Sequence, residues 1–417
     1  MKSGLLPCVL LTAASVVAAG GPALSGAVSP TISAAPTFGD DVAFLRAHTD
    51  IIVLKDGRHA AQIALAPAWQ GRVMTSTTSG DSGHSFGWIN RELITSGQPA
   101  PHMNAFGGED RLWLGPEGGQ YSIYFSKGTA FDYAHWFVPA ALDTRSFHTV
   151  SRSSNRATFR SDFALTNYSG TRFDVTVRRE VKLLEPQTAW NDLGVPPAKR
   201  VSLVAYESNN TLINAGRAPW TKETGVLSIW ILGMFAPSPS ARIVVPIKAG
   251  PESDLGVKVT SDYFGAIPPE RLKVTERAVF LRADGEFRSK IGINPRRSLG
   301  KVASYDADHG VLTIVQFNQP SEVSDYVNSL WRHQQNPYGG DAANAYNDGP
   351  PTPGAKPLGP FFEVESSSPA AVLSPGGSIE HTHRTIHLAG PEGELDRVAR
   401  AVLGVSLTEI RAAFPGN

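Results

Sequence analysis

The chain has 417 residues, 41% of them hydrophobic and 18% charged, which is a globular composition with enough apolar side chains for a sizeable core. Lys plus Arg (38) equals Asp plus Glu (38), so no net charge marks the chain for nucleic acid or an anionic membrane. A local basic groove is compatible with that balance, and so is an acidic sugar as ligand.

The N-terminus reads as an export signal over residues 1–27. Lys2 is the charged start, Leu5 to Ala19 is mostly apolar, and small residues follow through Ala27. The apolar stretch is short for a membrane span. The only cysteine, Cys8, falls inside this segment, and the Leu-Leu-Pro before it lacks the small residues of a lipid-attachment site. The expectation is a secreted or periplasmic protein with no disulfide and no membrane contact after cleavage. Residues 28–39 form a Pro/Ser/Ala-rich linker, and residues 40–417 read as a single domain.

Asp40 to His48 has the spacing of a short helix, with Val42 and Leu45 on one face. Strands then take over. Ile51 to Leu65 predicts a hairpin turning at Asp56-Gly57. Val150 to Leu184 predicts two long strands divided at Ser169-Gly170, with Phe173, Val175 and Val177 alternating with polar residues. Further strands are expected at Val201–Leu212, Leu227–Phe235, Arg242–Ile247, Ala278–Ile293 and Val311–Phe317, with Asp284-Gly285 as a second hairpin turn. Trp331 to Pro360 has no periodicity and reads as a long irregular segment, either functional or disordered, with Trp331, Tyr338 and Tyr346 arguing against disorder. Leu395, Val398, Ala399 and Val402 fall at helical spacing, and Ser406 with Glu409 forms a capping box. There is no internal repeat and no Gly-rich nucleotide loop. The 40 glycines and 31 prolines suit many short strands. The fold class is therefore all-β, one large antiparallel β-sandwich with short terminal helices.

The most specific signal is Phe362-Glu363-Val364-Glu365, then Leu373-Ser374-Pro375-Gly376, then Ile379-Glu380-His381-Thr382-His383-Arg384-Thr385. This order resembles the closing segment of aldose 1-epimerases and their galactose mutarotase-like relatives. In that family a strand with a catalytic glutamate precedes Leu-x-Pro-Gly and a His/Thr alternation. The resemblance implies the mutarotase-like supersandwich, places Glu363 at the general-base position, and puts Glu365 where the family has glutamine. Residues two apart on a strand share a face, so the two carboxylates and His381 are candidate site residues. Gln70-Gly71-Arg72-Val73-Met74 resembles the family's opening strand, which makes Arg72 a binding candidate. Asn104-Ala105-Phe106-Gly107-Gly108-Glu109-Asp110-Arg111-Leu112-Trp113 resembles its Gly-Gly segment. This adds Asn104, Glu109 and Arg111, with His102 and Glu117 close by in sequence. Arg111 has a planar fork suited to sugar hydroxyls or a uronate carboxylate.

The chain departs from the family where a histidine is expected. Ala205-Tyr206-Glu207-Ser208-Asn209-Asn210-Thr211-Leu212 has Asn209 and Asn210 and no histidine, and asparagine cannot protonate a ring oxygen. Glu207, His102 or His333 would have to supply the proton, or the reaction is not mutarotation. The loop carrying Tyr346 and Asp348 combines a flat ring with polar groups, as a pyranose site does, and is equally an ordinary Asx-turn loop. Trp220 and Trp230 offer stacking surfaces but read more readily as core, and Arg288 and Lys290 are either cationic site residues or, as the favoured reading, a solvated strand face. His381, His383 and His387 alternate without a third-ligand spacing, so no metal and no cofactor is expected.

Two functions follow. One is an enzyme on a mono- or oligosaccharide, uronates included, working through Glu363 with Glu109 or Glu207 as a second carboxylate: an epimerase, lyase or glycoside hydrolase. The other is a non-catalytic glycan-binding protein on the same scaffold.

Overall fold

In the computed structural model, residues 1, 36–322, 324–352 and 354–414 are described. The expected export segment, Cys8 and most of the linker lie outside them. In chain order the strands are β1 (Ile52–Lys55), β2 (Gln62–Ala66), β3 (Arg72–Thr77), β4 (Arg111–Gly115), β5 (His148–Arg152), β6 (Arg156–Thr166), β7 (Arg172–Leu183), β8 (Ser202–Asn214) and β9 (Ser228–Phe235). There follow β10 (Arg242–Pro246), β11 (Leu272–Val274), β12 (Ala278–Arg282), β13 (Ser289–Ile293), β14 (Lys301–Asp306), β15 (Val311–Phe317), β16 (Ala343–Asn347), β17 (Phe362–Ser367) and β18 (Ser378–Ala389).

These form a ten-stranded sheet in the order β11-β12-β10-β14-β15-β18-β8-β7-β6-β5, a five-stranded sheet β13-β16-β17-β9-β4, and a three-stranded sheet β1-β2-β3. Every pairing between these strands is antiparallel. The expected antiparallel β-sandwich is therefore the architecture.

Alternation explains the layering. On β6 and β7, Phe159, Phe163, Val175 and Val177 turn inward while Arg160, Arg172 and Arg178 face out. One part of the core packs Ile243, Val245, Val302 and Val315 of the large sheet with Ile291, Ala345, Phe362 and Val364 of the five-stranded sheet. The other face of the large sheet is covered by the helices Pro186–Leu193, Glu392–Leu403 and Leu407–Arg411. Leu395, Val398, Ala399 and Val402 are buried at the helical spacing read from sequence, and the Ser406–Glu409 capping box is formed. The N-terminal helix spans Phe38–Arg46 and is capped reciprocally by Thr37 and Asp40.

Three expectations are corrected. Lys55 pairs with Gln62, so residues 56–61 make a six-residue connection rather than a tight Asp-Gly turn. The Asp56 carboxylate accepts from the Ala60 amide and closes that longer loop. Asp284-Gly285 does not close a hairpin, because β12 pairs with β10 and β11 while β13 pairs with β16 in the other sheet. The chain changes sheets there, and Asn347 Oδ1 accepts the Gly285 amide. Finally, the stretch expected to be irregular contains β16, a five-residue strand buried throughout. It carries small and polar residues with one tyrosine, and so shows no hydrophobic alternation.

Candidate active site

The five-stranded sheet puts alternate residues on opposite faces, and its register aligns them in rows. One row is Met234 (β9), Glu363 (β17), Tyr346 (β16) and Lys290 (β13). The next is Arg111 (β4), Leu232 (β9), Glu365 (β17) and Asn344 (β16), and beyond it Trp113 faces Trp230. These rows lie on the face turned away from the large sheet. They floor a narrow pocket, with a cavity volume of about 40 Å3 in this structure, whose remaining lining includes Met103, Glu117, Tyr133, Trp136, Phe264, Arg288, Leu358 and Phe361.

The charges in this floor are paired and buried. Arg111 Nη2 donates to Glu363 Oε1 at 2.6 Å, and its guanidinium lies 4.1 Å from the Trp113 ring centre. Lys290 Nζ stands 3.2 Å from Glu365 Oε2 and 3.8 Å from Glu117 Oε2. Trp230 Nε1 donates to the same Glu365 oxygen at 2.8 Å. Lys290 and Glu365 are 5% and 0% exposed, which makes this a desolvated site rather than a surface ion pair. Burial pushes the Glu363 carboxyl up to about 8 against the pull of Arg111 and Lys290, with Glu365 and Asp348 adding to the rise. Burial also raises the Glu117 carboxyl, against Lys290. Burial pulls the Lys290 ammonium down, but Glu365 and Glu117 outweigh it and hold it above its ordinary value. Tyr346 donates from its hydroxyl to Asp348 at 2.7 Å, and burial lifts the Asp348 carboxyl to about 6.

The walls are aromatic. Trp136 stacks between Tyr133 and Trp331, with ring centres 6.1 and 5.8 Å away. Trp230 meets Trp113 edge-on at 5.5 Å. Trp136 Nε1 is buried and has no hydrogen-bond partner among the described residues. The site thus offers flat apolar surfaces, an unpartnered donor, and carboxyls whose proton affinity is raised toward neutrality.

Of the residues expected from sequence, Glu363, Arg111 and Tyr346 line this pocket, Glu365 lies beneath it held by Trp230 and Lys290, and Asp348 buttresses Tyr346. The others are placed elsewhere. Glu109 is wholly buried, taking hydrogen bonds from Ser76 and Tyr206 and pairing with His387 Nε2 at 3.0 Å. Glu207 is half-buried on β8 and pairs with Arg384. Arg72 donates to the Gly107 carbonyl and to Gln70, and Asn104 donates to Asp143. Asn210 accepts from Arg179, the buried partner of Asp110, while Asn209 is half-buried opposite Thr382. His102 donates from Nδ1 to the Trp136 carbonyl and so braces a pocket wall. His333 packs edge-on against Phe131 and Tyr168. His381 and His383 share the Ser366 hydroxyl between the sheets, and burial holds them down at about 3 and about 4. Lys290 and Trp230, read as solvated face and core, are parts of the site. No group of three or more His, Cys, Asp or Glu among the described residues is arranged to hold a metal ion.

Solved structures that resemble this one include galactose mutarotase-like proteins and a putative aldose 1-epimerase. A putative aldose 1-epimerase from Escherichia coli K12 is 11% identical, with TM-score 0.47, covering 82% of this chain and 99% of its own. A galactose mutarotase-like protein from Lactobacillus casei is 11% identical, with TM-score 0.44, covering 81% and 100%. A galactose mutarotase related enzyme from Lactobacillus acidophilus is 11% identical, with TM-score 0.42, covering 81% and 97%. No curated protein matches the sequence. The chain belongs to a family of unknown function, DUF6786, whose model matches residues 36–414.

Proposed function

We propose that this protein is a carbohydrate-active enzyme that binds a pyranose, neutral or uronic, in the aromatic pocket and moves protons through Glu363. The observation that carries the reading is a buried carboxyl on a central strand, raised to about 8, in a pocket walled by tryptophans. Glu117, also raised and also lining the pocket, is the second carboxyl. Ring opening needs both roles. Glu363 as carboxylate takes the anomeric hydroxyl proton, the C1–ring-oxygen bond breaks as the carbonyl forms, and protonated Glu117 gives its proton to the ring oxygen. Reclosure on the other face of C1 returns both protons. The same two groups suit hydrolysis, with one as acid and one activating water. Arg111, beside Glu363, stabilises charge that develops there. The N-terminal segment supports placing this activity outside the cytoplasm.

A second reading is a glycan-binding protein without turnover. It is favoured by the Arg111 guanidinium, which at 2.6 Å makes the Glu363 carboxylate a weaker base.

The test is a screen of monosaccharides, oligosaccharides and uronate polymers, following optical rotation, reducing ends and unsaturated-product absorbance. The enzyme reading expects one channel to respond and Glu363→Gln to lower the rate about 10²–10⁴-fold. Sugar binding without turnover in any channel supports the second reading and overturns the first.

A further inference from the structure

The pocket contains three cations, and two are already engaged. Arg111 has Glu363, and Lys290 has Glu365 and Glu117. Arg288 differs. It is half-buried, lines the pocket, and makes no ion pair among the described residues. Its guanidinium lies 3.7 Å from the centre of the Phe264 ring, with Trp331 at 5.7 Å and Tyr133 at 6.0 Å. The nearby Asp348 carboxylate is occupied by the Tyr346 hydroxyl and the Gly359 amide. Stacking on an aromatic face fixes the guanidinium plane; one edge donor reaches the Tyr346 hydroxyl, and the others are left for a ligand. A paired donor edge of this kind matches a carboxylate bidentately. Arg288 is a single cation that the carboxyls of Glu117 and Asp348 already feel, so it suits a monoanion and disfavours a dianion.

We infer that the pocket takes an acidic sugar, a hexuronate unit whose carboxylate lies against Arg288. This rests on the carbohydrate reading above. It assigns Arg288 as the residue that reads the C5 substituent, while the aromatic walls hold the ring and Glu363 faces the reacting end.

The test is binding of glucuronate and galacturonate against their methyl esters and the neutral hexoses, followed by tryptophan fluorescence on the full chain. The expected result is that at least one acid binds about tenfold or more tighter than its ester. Arg288→Gln should bring the acid-to-ester ratio of affinities down to about one, and Arg288→Lys should keep part of the preference, since charge survives without the planar fork. Thermal melts of both variants separate lost recognition from lost folding. Equal binding of acids and esters overturns the inference and leaves the carbohydrate reading standing. Retention of the preference in a folded Arg288→Gln protein also overturns it. Binding of none of the probes overturns both.

Discussion

Replacing Lys290 with methionine tests the electrostatic floor of the pocket. The two side chains are similar in length, so Lys290→Met removes the ammonium and little of the packing under Trp230. Two buried carboxyls, Glu365 and Glu117, then lose the cation 3.2 and 3.8 Å away. Removing one partner of a buried pair costs roughly 3–5 kcal/mol. Unfolding entropy near 2.1 cal/mol/K per residue gives about 0.8 kcal/mol/K over some 380 residues, so Tm should fall by about 4–6 °C. The loss should depend on pH. Glu117 is raised in the folded state, and without Lys290 it rises further. A raised carboxyl contributes stability that is present below its unfolded pKa and lost as pH climbs through the folded one. The variant should therefore be close to wild type at pH 5 and furthest below it at pH 9. Scanning calorimetry at pH 5, 7 and 9 reads this directly, and adding Glu365→Gln should restore part of the loss. A drop under about 1 °C at pH 9, or equal drops at pH 5 and 9, would refute the argument, because the second result is the signature of lost packing.

The remaining predictions concern the reacting carboxyl and the backbone behind it. With Glu363 as base, kcat/KM should rise with pH and level off above an apparent pKa near 8, set by burial against the pull of Arg111 and Lys290, with Glu365 and Asp348 adding to the rise. Lys290→Met should move that midpoint upward, and a pH-independent rate between 6 and 9 would exclude Glu363 from the role. Because the folded-state value is raised, Glu363 ionisation also lowers stability as pH rises from about 4.5 to about 8, and Glu363→Gln should flatten the Tm profile over that window. Gly107→Ala should destabilise by roughly 2–5 kcal/mol, read as a shifted urea midpoint, since φ is +99° and a Cβ would meet the Trp88 carbonyl at 2.0 Å. An unchanged midpoint would mean that this segment can relax away from the Trp88–Ile89 backbone.

Much of the scaffold was legible because its strands alternate. Phe173, Val175 and Val177, and the Leu395–Val402 stripe, fall on the faces their spacing predicts. Glu363 and Glu365 drew notice through the resemblance of Phe362–Glu365, Leu373–Gly376 and Ile379–Thr385 to an epimerase closing segment, and alternation then puts the two on one face. The run Glu109-Asp110-Arg111 shows where local reading stops. Its three consecutive charges go to three partners, His387, Arg179 and Glu363. β4 begins only at Arg111, so alternation does not extend back to Glu109. Lys290 looked solvated because its own strand carries no clue. Only its pairing opposite Tyr346, and through β16 with Glu363, buries it. The walls were less legible still. Tyr133, Trp136 and Phe264 come from segments between strands, where no periodicity says which ring turns inward.

β17 carries Glu363 and Glu365 on one face and, on the other, Ser366, whose hydroxyl joins His381 and His383 of the facing sheet. It is hydrogen-bonded to a neighbour along both edges. The strand that presents Glu363 is therefore also the seam between the layers. Its amide protons should exchange with solvent only as the whole molecule unfolds, so the floor of the pocket has no fluctuation of its own to offer. Whatever adaptability ligand entry requires belongs to the surrounding connections, and variation among relatives can remodel those connections without disturbing the seam.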